Sequence, residues 1–78
     1  MQIDYDPEAD AIYIQLRDGE VDHTVESSKY IYVDVDADGV PLGLEILFAT
    51  NVLGARDMTS ITFNVAARQA SDLAAAKA

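Results

Sequence analysis

The chain has 78 residues, with fourteen Asp or Glu against five Lys or Arg, a net charge of −9 and no cysteine. This balance opposes binding to phosphate backbones, and the missing cysteines exclude disulfides and cysteine-ligated zinc and point to a reducing cytoplasm. At this length one domain forms, burying only about 60% of its unfolded surface, so a partner chain is expected to complete it.

The first element is "QIDYD", where Ile3 and Tyr5 alternate with Gln2, Asp4 and Asp6. Period-two alternation of this kind marks a half-buried strand, and Met1 leads into it with neither a basic n-region nor a long apolar run. Neither a signal peptide nor a transmembrane helix is therefore expected. A turn at residues 7–10 follows, with Pro7 fixing φ, and pairs Tyr5 with Ile12 and Ile3 with Ile14. "AIYIQLR" sets Ile12, Ile14 and Leu16 against Tyr13, Gln15 and Arg17. Asp18-Gly19 reads as the turn of a second hairpin into "VDHTVE", where Val21, His23 and Val25 alternate. "YIYVDVD" and "LGLEILF" repeat the pattern, with Ile31, Val33, Val35, Leu42, Leu44, Ile46 and Phe48 inward. "ATNVLGARDM" loses the alternation and reads as a short helical turn or loop. "SITFNV" at 60–65 alternates again and reads as a further strand, while residues 66–78 read as a frayed helical tail. The expectation is a mainly β (α+β) fold: a small antiparallel β-meander of four to five strands, with a short helical element in the C-terminal part. Residues 1–65 form the single sheet domain. Its core is Ile3, Tyr5, Ile12, Ile14, Leu16, Ile31, Val33, Val35, Leu42, Leu44, Ile46 and Phe48.

Asp34, Asp36, Asp38, Gly39 and Glu45 match the D-x-[DN]-x-[DN]-G-x5-E spacing of a calcium loop. The flanks argue against that chemistry, since both have period two where an EF-hand needs helices. With Asp38-Gly39 as a two-residue type I′ turn, Val35 faces Leu42, Val33 faces Leu44 and Ile31 faces Ile46, so every core residue meets another. Pro41 falls opposite Asp36. Glu45 then pairs with Tyr32, roughly 20 Å along the strand from Asp38 at ~3.3 Å per residue. A calcium loop needs that glutamate and the aspartates on one ion within ~2.6 Å. The motif reads as a hairpin turn, and no metal or other cofactor is expected.

Other chemistry is sparse. His23 is the sole histidine, with no second ligand beside it; Asp4, Asp6, Glu8 and Asp10 surround a proline turn as a solvated loop. Ser27 and Ser28 have no base placed by a motif, and the glycines stand alone at turns. No catalytic residue is expected, and the chain reads as a non-enzyme. The outward sheet face is richer: Tyr13, Tyr30, Tyr32 and Leu47 share it with Arg17, Asp34 and Glu45. Tyrosines there serve as cross-strand support or as interface anchors. Tyr13, Arg17, Tyr30, Tyr32, Asp34 and Glu45 are the candidate partner-binding residues. Charge divides along the chain: residues 1–50 hold twelve acids against Arg17 and Lys29, and residues 51–78 hold Asp57 and Asp72 against Arg56, Arg68 and Lys77.

"YDPEADAIYIQL", the Asp-Gly that follows it, "TVE" and "VDVDADGVPLGLEIL" together resemble the small bacterial domain-of-unknown-function family numbered 2283, over residues about 3–50. The resemblance carries no catalytic residues. Some members of that family are encoded beside small toxin-like proteins, which implies an antitoxin-type role. The basic DNA-binding segment of many antitoxins has no counterpart in this sequence. The expected function is a cytoplasmic protein-interaction module that forms a homodimer and binds a basic protein, with no nucleic acid and no membrane. The alternative is a binder of a small ligand or divalent cation on the acidic hairpin face.

Overall fold

The period-two segments become strands in the computed structural model, which describes residues 1–54 and 58–67. In chain order they are β1 (Gln2–Asp6), β2 (Ala11–Gln15), β3 (His23–Ser28), β4 (Ile31–Val35) and β5 (Pro41–Ile46), followed by the helix α1 (Ala49–Leu53). Every pairing is antiparallel, in the order β1-β2-β5-β4-β3. The meander is β3-β4-β5, and the β1–β2 hairpin joins it along β5. Among the described residues no helix is long and apolar enough to cross a membrane.

Register explains why the inward face coheres. Tyr5, Ile12, Ile46 and Ile31 lie in one row across β1, β2, β5 and β4. Ile3, Ile14, Leu44, Val33 and Val25 make the next row, across all five strands. Helix α1 covers the first row: Ala49, fully buried, packs with Ile12 and Ile46, and Val52 and Met58 fill in around them. The buried apolar set is Ile12, Val35, Leu42, Ile46 and Ala49.

Of the expected core, Tyr5, Ile14, Ile31, Val33 and Leu44 are half-buried, and three residues are exposed. Ile3, Leu16 and Phe48 are 40%, 42% and 49% exposed. Ile3 is on an edge strand, and Leu16 lies past the end of β2. At Phe48 the backbone is left-handed (φ 54), which breaks the alternation and sends Ala49 into the core instead. The Phe48 ring packs on Tyr30, centroids 5.8 Å apart.

The second hairpin at Asp18-Gly19 does not form. Residues 16–22 instead run across the end of the sheet: Leu16 and Arg17 N–H donate to the Leu42 carbonyl at 2.8 and 3.3 Å, and Asp22 N–H donates to Val35 at 2.8 Å. Thus β2 pairs with β5, which offers Leu44 and Ile46 to Ile14 and Ile12, where β3 could offer only Val25 and His23. Gly19 allows the crossing, since a Cβ there would sit 2.8 Å from Leu42 Cδ2.

The β4–β5 register is as expected over Ile31–Asp34, then shifts so that Val35 faces Pro41 in place of Leu42. The turn has three residues rather than two. Asp36 N–H donates to the Val40 carbonyl, and Gly39 N–H donates to the Asp36 carbonyl. Of the loop residues only Gly39 has positive φ, whereas a type I′ turn needs two such residues. The Asp36 carboxylate selects this form by accepting from the Asp38 and Val40 N–H groups, both at 2.9 Å.

The further strand expected at 60–65 does not form either; residues 60–67 join no ladder. Ile61 lines a groove with Ile3, Tyr5, Ile12 and Met58 in place of pairing along a strand, and Ile61, Phe63 and Val65 are 67%, 78% and 76% exposed. The fifth strand is β3. Of the expected helical tail 66–78, residues 66 and 67 have no regular structure, and 68–78 lie outside the described residues.

Candidate functional site

The outward face is organised around Asp34. One carboxylate oxygen accepts the Tyr13 hydroxyl of β2 at 2.8 Å, and the other accepts the Thr24 hydroxyl of β3 at 2.6 Å. Tyr13 reaches Asp34 by crossing β5 over Gly43, where a Cβ would overlap the Tyr13 hydroxyl and Cζ. Donation to Asp34 is the main cause that raises the Tyr13 phenol above its ordinary value; desolvation and the charges of Asp34 and Glu45 add to it. Glu45 sits between Tyr13 and Tyr32 in the ladder. Among the described residues neither the Glu45 carboxylate nor the Tyr32 hydroxyl has a hydrogen-bond partner. Thr24, Tyr32, Asp34, Glu45 and Leu47 line an open trough of ≈ 360 Å³.

Of the six residues singled out from sequence, Tyr13, Tyr32, Asp34 and Glu45 come together. Tyr30 lies in the β3–β4 turn, against Phe48 and under Lys29 Nζ, which is 5.3 Å from its ring centroid. Arg17 borders a separate depression, with Met1, Gln2, Gln15 and Asp18. The two candidates at the ends of the face are thus separated from its centre. Asp34 also differs from its expected role. It is fixed by two hydroxyls and acts as a strut across β2, β4 and β3, leaving Glu45 as the carboxylate of this face without a hydrogen-bond partner among the described residues.

The calcium spacing is dismantled by the same geometry. Asp36 is engaged with the turn N–H groups, Asp34 with two hydroxyls, and Glu45 faces Tyr32 in the ladder. Among the described residues, no group of three His, Cys, Asp or Glu is arranged to hold a metal ion. His23 is exposed on β3, its Nδ1 2.8 Å from Asp22.

A second polar cluster was not anticipated. Asp10, with left-handed backbone (φ 50), accepts from the Tyr5 hydroxyl at 2.9 Å, from the Thr50 hydroxyl at 2.7 Å and from the Thr50 N–H at 3.2 Å. Its backbone carbonyl accepts the Ala49 N–H at 2.9 Å. The residue before α1 is Phe48, which has no side chain able to cap. Asp10 supplies that cap from the β1–β2 turn, far away in sequence. Asp6, in the same acidic stretch, accepts from the Glu8 and Ala9 N–H groups at 3.0 and 3.3 Å. A helix start with no cap residue was the one legible signal of a cap from elsewhere.

Bonding to Thr50 is the main cause that lowers the Asp10 carboxyl below its ordinary range, with Tyr5 adding to it against desolvation. A depressed carboxyl stabilises the fold above its unfolded value, and that contribution fades as pH falls through its folded value. Asp10→Asn keeps the left-handed backbone accessible but removes the charge. It is expected to lower the thermal midpoint by a few degrees at neutral pH and to flatten the loss of stability on acidification. Thermal melts of both proteins across the carboxylate range check this; parallel acid profiles would remove the charged cap from the account.

The family model described as "Protein of unknown function (DUF2283)" matches residues 2–49, the stretch that includes every strand and both polar clusters except Thr50. No curated protein and no solved structure matches the chain.

Proposed function

We propose that this chain, which belongs to the DUF2283 family, is a non-enzymatic, cytoplasmic protein-interaction module whose outward face takes up a basic protein, in an antitoxin-like role. The observation that carries the reading is the trough beside Glu45: a carboxylate without a partner among the described residues, flanked by Tyr13 and Tyr32 and next to an Asp34 already fixed in place. Tyrosines supply rigid contact area at low entropic cost, and pre-oriented carboxylates choose a cationic partner and steer its approach. The charge supports the same direction. Within the described residues the Lys and Arg side chains are Arg17 and Lys29, and neither lines the trough.

An arginine-rich peptide is the direct probe. Its association is expected to slow as salt rises, because exposed charges are screened beyond ~8 Å at physiological ionic strength. Glu45→Gln should mainly lower the on-rate and Tyr32→Ala mainly raise the off-rate, each by about tenfold or less. Surface-binding kinetics in a salt series measure both. Binding that ignores salt and both substitutions would leave this surface an ordinary solvated sheet face.

A further inference from the structure

One strand-patterned stretch is left unused by the fold. In residues 60–65, Ile61, Phe63 and Val65 alternate with Ser60, Thr62 and Asn64, a sequence rich in β-branched and aromatic residues. The segment joins no ladder, and its three apolar side chains are mostly exposed. Ile61 alone finds apolar surface, lining a groove of ≈ 270 Å³ with Ile3, Tyr5, Ile12, Leu53 and Met58. That groove lies on the inward face, so residue 61 runs in the helix layer and not beside β1 in the plane of its own sheet.

Alternation of this kind is satisfied only at a sheet edge. Pressed flat on an apolar face, the segment would bury its own backbone N–H and C=O groups without partners. At an edge, every other side chain joins the apolar face and the rest join the polar one. The sheet has two edges, β1 and β3. The inward side of β1 is already flanked by Leu53 and Met58 of its own chain, which are not part of the arm. β3 is exposed at every residue, with Val25 44% exposed at the end of its apolar row. Charge selects the occupant. Two sheets carrying twelve acids against two bases each repel one another edge to edge, whereas residues 60–65 contain no charged side chain. We propose that residues 60–65 of one copy add as a sixth strand to the free edge of β3 in a second copy, the two copies exchanging arms about a two-fold axis.

The pairing is antiparallel: it sets Phe63 beside Val25 on the inward face, and Thr62 beside Glu26 and Asn64 beside Thr24 on the polar one. Exchange in both directions closes the assembly as a dimer and leaves no open chain of contacts. It borders the trough only at Thr24 and needs neither Tyr32 nor Glu45, so it stands or falls separately from the basic partner.

Sedimentation equilibrium from submicromolar to high micromolar protein tests it. Wild type is expected to pass from monomer to dimer. Phe63→Asp on the arm and Val25→Lys on the edge should each remain monomeric throughout, with the far-UV spectrum of wild type. An equimolar mixture of the two should regain dimer, because the intact arm of the Val25→Lys chain meets the intact edge of the Phe63→Asp chain. Monomeric wild type, dimers persisting in both variants, or a mixture that stays monomeric would each overturn the proposal. Should Val25→Lys fail to fold, Glu26→Cys with Thr62→Cys in this cysteine-free chain decides the matter. Oxidation is expected to link two chains, and a bond within one chain, or none, would overturn it.

Discussion

Ile46→Ala is expected to remove most of the stability of this domain. Ile46 is 7% exposed on β5, the central strand, and faces Ile12 on one side and Ile31 on the other, with Ala49 packed against it. Truncating a buried isoleucine to alanine costs about 2–5 kcal/mol, through lost transfer energy and the cavity left behind. At roughly 0.05–0.15 kcal/mol per residue, a small domain of this length has only about 4–12 kcal/mol in total. Among the described residues only five apolar side chains are buried, so few neighbours share the loss. Denaturant unfolding followed by circular dichroism should show the variant largely unfolded at room temperature. Val65→Ala, at a residue 76% exposed, should match wild type in dilute monomer. A loss below ~1 kcal/mol at Ile46 would mean that α1 does not close over the sheet as described.

Gly43→Ala is expected to be nearly as damaging, by a different route. The new methyl group would occupy the space of the Tyr13 hydroxyl and Cζ, so the ring must leave the sheet surface and Asp34 must lose its donor on β2. Overpacking costs about 1–3 kcal/mol, and an unmade hydrogen bond to a charged acceptor adds about 1.5–3 kcal/mol at most on such a half-exposed face. The effect should depend on the ring. In a Tyr13→Ala background the same substitution should cost little, giving a clear coupling energy in the double-mutant cycle. Ultraviolet titration gives a second readout, because the Tyr13 phenol should return toward its ordinary value once it is expelled from Asp34. An equal cost in both backgrounds would show that the ring does not lie over Gly43.

Both substitutions touch residues with different visibility in the sequence. Ile46 was legible, because alternation in "LGLEILF" and the match of Val33 and Ile31 to Leu44 and Ile46 follow from a period of two. Gly43 was not. A glycine between leucines says only that a strand is weakened or closely approached, and what approaches comes from β2, thirty residues earlier.

By itself the sequence determined the strands of the β1–β2 and β4–β5 hairpins, their inward residues and the register of Ile31–Asp34, because these depend on side-chain period and on neighbours a few residues away. It also placed the calcium spacing on a hairpin, since strands on both sides are a local property. Tertiary structure alone decided which strand lies beside β2, because Asp18-Gly19 suits a hairpin locally, while Leu44 and Ile46 offer Ile14 and Ile12 more apolar contact than Val25 and His23 can. It decided the turn at 37–39, where the Asp36 carboxylate outweighs the dipeptide preference of Asp38-Gly39. It decided the roles of Asp34 and Asp10, each bonded across more than one element to hydroxyls that no spacing rule connects. Residues 60–65 show the limit most plainly: alternation gives a segment the capacity to be a strand, but a ladder needs an unpaired edge within reach, and only the assembled sheet reveals whether the chain supplies one.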